Sequence, residues 1–465
     1  MSRIIVASHR LPSTASDSEV DRPVMALKAA ILKSGGLWFG WSGGVNENVD
    51  QKPTVSCVEG FSLATLDLSK DEYEGYAEGF CGQALWPLLH GHLELCRLDG
   101  EAYRTYRQVN RRFASVLCSL VEPGDMLWIH DYHFIPLGDE LRGLGVTAPI
   151  GFFLHTPFPQ TEIIAALPWH RELLSDFCAY DVVGFQTSTC AENFRKAVAH
   201  CLGGSVQSNG RVMVDNRVVA VDAFPVGIDT RATKEMSRSA SVGRLCEHLR
   251  DCMGGREWIC AVDPLDYTKG IAERFRAFET LLEGTPALHD RISLVQIAAP
   301  PRESVAQYQE MECELESLSG RINGLFGTFD WTPIQYLRRA LCRKELAALY
   351  RVSRVGLITP LRDGMNLVAK EYVAAQDPED PGVLILSRFA GAAHELKQAL
   401  IVNPYDTDAV ARSLLRSLQM PLAERRDRWK SMMCQIEAND VHHWHRGFVE
   451  RLAARDDLDT PRKVA

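Results

Sequence analysis

The chain predicts an α/β protein built as two successive parallel-sheet domains. Short apolar runs alternate with helix-spaced segments throughout the second half. A less regular version of the same alternation runs through the first half, and a Pro and a Gly break the pattern at 225–227 between the two series. The length of 465 residues suits two or three domains.

In chain order, Ile4 to Ala7, Met126 to Ile129, Ile150 to Leu154 and Val182 to Phe185 read as strands. Arg104 to Leu120 and Glu192 to Cys201 read as helices. Pro225-Val226-Gly227 interrupts this pattern, and a polar stretch begins after Thr230. The expected domains are 1–228 and 229–440, with 441–465 a C-terminal helix returning to the first, and 457–465 frayed. In the second half, Trp258 to Val262, Ile292 to Ala298, Val355 to Thr359, Val383 to Leu386 and Leu400 to Val402 are strand-like. Between them, Gly270 to Leu282 sets Phe275, Phe278 and Leu282 at helical spacing. Glu303 to Ser319 sets Val305, Tyr308, Leu315 and Leu318 on one face, and Asn366 to Gln376 forms another helix. Leu422 to Arg455 reads as helical with a charged face. Two such halves form a cleft at the carboxyl ends of their sheets.

Charge and cysteine usage narrow the function. With 51 Lys and Arg against 60 Asp and Glu, the net charge is −9. Such a chain has no overall field for nucleic acid, although a local basic pocket for a small anion remains compatible. The 13 cysteines are odd in number and none is spaced C-x-x-C, which reads as reduced thiols in a cytoplasmic protein. Only four apolar residues follow Arg3, too few for a signal peptide, and no run of 18 apolar residues spans a membrane.

The segment Pro360 to Glu371 (PLRDGMNLVAKE) follows the strand at 355–359. A strand, a Gly-containing turn and a helix start aim free backbone N–H groups at an anion, and the helix dipole adds to them. Glu371 stands two turns beyond Gly364, near the same helix face, where a carboxylate suits a ribose diol. Asp266-Tyr-Thr-Lys-Gly270 and Arg302 also follow strands; each basic residue alone reads equally as a surface-turn side chain, but three such loops ending strands of one sheet together point to phosphate contacts. In the first half His130, Asp131 and His133 follow one strand and His155 another. Metal ligation is one reading of these side chains, and hydrogen bonding in a polar pocket is the favoured one. Trp38 and Trp41, in a Gly-rich segment, serve either as core or as platforms for sugar rings. His442, His443 and His445 read as structural residues of a terminal helix.

These residues together resemble the trehalose-6-phosphate synthase family of retaining glycosyltransferases. The resemblance covers essentially the whole chain. It rests on SHRLP (8–12), GGLWFGWSG (35–43), LWPLLH (85–90), WIHDYH (128–133), GFFLHTPFP (151–159), LDYTKG (265–270), GRINGLFG (320–327), WTP (331–333) and above all residues 359–393. It implies a GT-B fold, two Rossmann-like domains facing across a cleft. It further implies glucose transfer from UDP-glucose to glucose 6-phosphate with retention, with no cofactor and no obligatory metal. Carried over by position, Lys269 contacts the donor diphosphate, Asp363, Gly364, Met365, Asn366, Leu367 and Val368 meet the donor sugar and diphosphate, and Glu371 holds the ribose. His155 contacts the donor glucose. Arg10, Trp41, Trp86, Asp131, Tyr132 and Arg302 line the acceptor pocket. Asp131, His155, Lys269 and Asp363 form the implied catalytic set. The implied partners are a nucleotide sugar and a sugar phosphate, with no nucleic acid and no membrane; a homo-oligomer is one further expectation.

The chain departs from the family pattern at three places. Pro264 stands where the family has Arg, 21–25 reads Asp-Arg-Pro-Val-Met where the family has a Gly-Gly-Leu loop, and Ala77 stands at an acceptor-pocket Tyr, next to Tyr76. The departures keep two other readings open: a related nucleotide-sugar transferase or pseudo-glycosyltransferase with another donor or acceptor, and a silent regulatory paralogue.

Overall fold

The computed structural model describes residues 3–12, 22–47, 49, 52–58, 60–300 and 306–454. The chain divides into two compact units. Among the described residues, the first holds 3–12, 23–225 and 442–454, and the second holds Arg22 and 226–441.

The first unit is built on ten strands: β1 (Ile4–Ser8), β2 (Leu37–Val45), β3 (Thr54–Val58), β4 (Phe61–Leu68), β5 (Met126–His130), β6 (Ile150–Phe153), β7 (Val182–Phe185), β8 (Ser205–Val206), β9 (Val212–Val214) and β10 (Arg217–Ala223). Their order is β3-β4-β2-β1-β5-β6-β7-β10-β9-β8. The seven from β4 to β10 run parallel, and β3, β8 and β9 add antiparallel edges. Strands β1, β5, β6 and β7 are buried along their whole length, as apolar runs covered on both faces must be. The three strands between 37 and 68 are a finding beyond the sequence reading. Residues Tyr73–Leu85 form a π-helix that runs into the helix Trp86–His90.

The second unit holds six parallel strands: β11 (Glu257–Pro264), β12 (Ile292–Ala299), β13 (Ile334–Leu337), β14 (Val355–Ile358), β15 (Val383–Ser387) and β16 (Leu400–Val402), in the order β13-β12-β11-β14-β15-β16. The helix expected over 303–319 is observed as Ala306–Phe326; Val305 lies outside the described residues.

The terminal stretch is two helices, Leu422–Ala438 and Val441–Ala453, rather than one. The break has a local cause. A Cβ on Gly227 would stand 2.3 Å from the Asn439 carbonyl oxygen, and the Val441 N–H donates to the Ile228 carbonyl at 3.0 Å. The second of these helices lies on the sheet of the first unit. Its Phe448 occupies space that a side chain at Gly151 or Gly184 would fill, with hypothetical Cβ approaches of 2.6 and 2.8 Å. Residues 457–465 lie outside the described residues.

Candidate active site

In the second unit the functional candidates gather where parallel strands end, the place an α/β sheet offers to ligands. After β11 the Asp266 carboxylate accepts from the Thr268 N–H at 2.8 Å and from the Tyr308 hydroxyl at 3.0 Å, folding 266–270 into a tight turn. Gly270 closes that turn at φ +64°, and a Cβ there would meet the Thr359 carbonyl at 2.7 Å. The turn presents Lys269, whose Nζ donates to Asp363 Oδ2 at 2.8 Å. Burial works against the Lys269 charge, but Asp363, Asp266 and Asp263 outweigh it and hold its pKa above the ordinary lysine value.

After β14, Asn366 adopts φ +71° and caps the helix Leu367–Ala375, accepting from the Ala369 N–H at 3.2 Å. Its amide also donates to Asp363 Oδ2 at 3.3 Å. Gly364 and Met365 are pinned against the segment after β15. Asp363 bridges Ala390, the Ala392 N–H donates to the Met365 carbonyl at 2.8 Å, and a Cβ on Gly391 would strike the Gly364 carbonyl at 2.0 Å. Leu367 and Val368 form the buried first turn of the helix. Glu371 accepts from Arg22 Nε at 2.9 Å, and Arg22 also donates to the Tyr350 hydroxyl at 3.3 Å. Arg302 lies outside the described residues. Pro264 ends β11 with its ring exposed. The ladder from β11 to β14 covers only Ile259 and Cys260, so the N–H that proline lacks falls beyond that pairing.

Arg274 is a residue that sequence reasoning missed. It is 1% exposed and donates to Asp263 and Gln296 at 2.6 Å each, to Thr359 Oγ1 at 3.2 Å and to the Lys269 carbonyl at 3.3 Å. One guanidinium thus ties together β11, β12, the end of β14 and the Lys269 turn. Its signal was a charged residue directly beside the apolar face marked by Phe275 and Phe278.

In the first unit, Arg10, Asp131 and His155 follow β1, β5 and β6, neighbouring parallel strands. Asp131 takes φ +70° and ψ 166°, a region that costs a non-glycine residue ~1–3 kcal/mol and that concentrates at functional sites. Its carboxylate accepts from the His155 N–H at 3.3 Å. Trp38 is core, fully buried, while Trp41 is half-buried and stacks on His9 at 4.9 Å. His9 stacks in turn on His133 at 4.2 Å, and Tyr132 on His133 at 4.1 Å. Trp86 faces Tyr132 at 6.0 Å. The ring column therefore joins Trp41, Tyr132 and Trp86 through two residues, His9 and His133, that no motif argument singled out for this task. Burial, then Arg10, pushes the His9 pKa down to about 3. Tyr76 reaches His9 Nδ1 at 3.3 Å, and Ala77 is buried beside it. His130 pairs with His155, Nδ1 to Nε2 at 3.1 Å. Among the described residues no group of three His, Cys, Asp or Glu side chains is gathered as for a metal ion. His443 and His445 sit within the helix Val441–Ala453, with His445 5.6 Å from the Trp128 ring.

The whole chain is similar to known proteins. It is 46% identical to a trehalose-6-phosphate synthase of Klebsiella pneumoniae, over 97% of this chain and 95% of that one. Among solved structures it matches an α,α-trehalose-phosphate synthase (UDP-forming) of Burkholderia xenovorans in complex with glucose-6-phosphate. The TM-score is 0.94 and the identity 42%, with 97% of this chain and 100% of that chain covered. It also matches an Escherichia coli structure bound with UDP-2-fluoro glucose, with TM-score 0.92, 41% identity and coverage of 97% and 99%. These neighbours share its α/β, GT-B architecture. The family model of glycosyltransferase family 20 spans residues 3–454, and the chain belongs to that family.

Proposed function

We propose that this enzyme transfers glucose from UDP-glucose to glucose 6-phosphate with retention, forming α,α-trehalose 6-phosphate and UDP. The observation that carries this is the near-complete match to a relative whose structure holds glucose-6-phosphate. In this reading Lys269 and the N-terminus of the helix Leu367–Ala375 receive the diphosphate, Glu371 the ribose, and His155 the donor glucose. Arg10, Trp41, Trp86, Asp131, Tyr132 and Arg302 hold the acceptor. The acceptor hydroxyl oxygen bonds to the donor C1 on the face from which UDP departs. The C1–O bond to phosphate breaks, and the hydroxyl proton passes to the leaving phosphate oxygen. Stabilising the negative charge on that phosphate is the main electrostatic task, and it falls to Lys269 and the backbone N–H groups at 364–368. Asp363 and Asn366 preorganise that group before the ligand arrives.

The thirteen cysteines are all free thiols, which supports a cytoplasmic setting. Among the described residues no helix is long and apolar enough to cross a membrane. Pro264 supports a thinned diphosphate clamp and slower turnover. The test is UDP release from UDP-glucose with and without glucose 6-phosphate. Release that requires the acceptor supports the reading, and none in its presence contradicts it.

A further inference from the structure

The layer beneath His155 contains a histidine that no role above uses. His130 is the last residue of β5, 1% exposed, and its Nδ1 lies 3.1 Å from His155 Nε2. A hydrogen bond between two imidazole nitrogens holds one hydrogen, so one ring donates and the other accepts. Which ring donates decides which nitrogen of His155 carries its proton.

The surroundings of His130 decide it. Its other nitrogen, Nε2, is buried without a hydrogen-bond partner, as are Nε1 of Trp128 and Nε1 of Trp444. Both indole rings adjoin the imidazole, with centroids 4.5 and 6.1 Å away. An indole nitrogen can only donate, so this layer already holds two unmet donors. If His155 Nε2 carried a hydrogen, His130 Nδ1 would have to accept it, and the His130 proton would sit on Nε2 as a third. The same holds whether His155 is neutral or cationic. A buried N–H with no acceptor is the costlier arrangement, and a bare lone pair in a layer that already holds two unmet indole donors is the cheaper one. Burial also keeps His130 itself uncharged.

We propose that His130 is a positioning residue that donates from Nδ1 to His155 Nε2 and so fixes His155 as its Nδ1–H tautomer. His155 then meets the donor sugar as a hydrogen-bond donor and takes no proton from it. The link to the sugar rests on the function proposed above, but the tautomer does not. Trp444 belongs to the helix Val441–Ala453, so the C-terminal helix helps set the state of this histidine.

The test has two arms. In the first, 15N spectra of the ligand-free protein, labelled on histidine and assigned with His155→Asn and His130→Asn, report both rings. The expected result is a protonated Nδ1 and a bare Nε2 in His155 at pH 7. A protonated Nε2 overturns the proposal, whatever the enzyme's substrates are. In the second, His130→Phe removes the donor and keeps a ring, while His130→Asn restores an N–H near the place of Nδ1. For His130→Phe, kcat/KM for UDP-glucose falls about 10-fold, the loss of one buried partner, while KM for glucose 6-phosphate is unchanged. His130→Asn recovers part of that loss. Equal loss in both variants, or a change confined to the acceptor KM, assigns His130 a purely structural role. Absence of turnover in the wild type would count against the proposed function and leave the spectroscopic result standing.

Discussion

Lys269 Nζ donates to Asp363 Oδ2 at 2.8 Å, joining the turn after β11 to the turn after β14. The pair holds the cation in place but also neutralises it until an anion arrives. Removing the cation should therefore act twice. Lys269→Ala weakens UDP binding roughly 10- to 100-fold, the value of a charge-assisted contact. It also lowers stability by ~3 kcal/mol, because the poorly solvated Asp363 carboxylate loses its neutralising cation. Lys269→Met combined with Asp363→Asn regains stability and not affinity. Urea unfolding and UDP titration of both variants separate the two effects.

Pro264 gives a gain-of-function prediction. Its ring is exposed and its missing N–H falls beyond the β14 pairing, so an arginine fits there without disturbing the sheet. Arg22 is already engaged by Glu371 and Tyr350. Pro264→Arg should raise kcat with UDP-glucose by about 10-fold, part of what one donor to a developing anion is worth. Unchanged steady-state kinetics would mean that the clamp was never thinned.

Arg274→Met tests the buried hub of the second unit. The variant keeps volume but leaves Asp263, 4% exposed, without its cation, and should lose ~3–5 kcal/mol. The same change releases the Lys269 carbonyl, so UDP affinity falls with stability. A loss below 1 kcal/mol in urea unfolding would contradict the assigned role.

The strand–turn–helix units after β11 and β14 were legible because apolar runs, glycines and charged turn residues report directly on a parallel sheet. The strands between 37 and 68 were not, since glycines break their alternation and β3 is exposed along most of its length. The π-helix at Tyr73–Leu85 has no period that a 3.6-residue template detects. Within the site, single residues at strand ends could be read from their position. The roles of His9 and Arg274, and the stacking role of His133, could not, because they arise from stacking and hydrogen bonds between segments distant in sequence.

Buried histidines predict acid sensitivity. Burial, with Arg10 nearby, holds His9 at about 3, and burial, then His442 and Arg446, holds His445 at about 4. The unfolded chain binds these protons near pH 6.5 and the folded chain does not. Their contribution is therefore complete above pH 6.5 and is lost as pH falls, towards about 4 for His445 and about 3 for His9, by up to ~1.4 kcal/mol per pH unit for each proton. The urea midpoint should be lower at pH 5 than at pH 7, with a shallower slope in His445→Phe. A flat profile would show that these rings titrate normally.

The central claim is retaining transfer between UDP-glucose and glucose 6-phosphate. The most direct measurement is the proton NMR spectrum of the disaccharide phosphate made from those two substrates. A 1,1-linked product with the small anomeric coupling of an α linkage at both sugars is expected. A β linkage, or UDP release with no disaccharide formed, would contradict it.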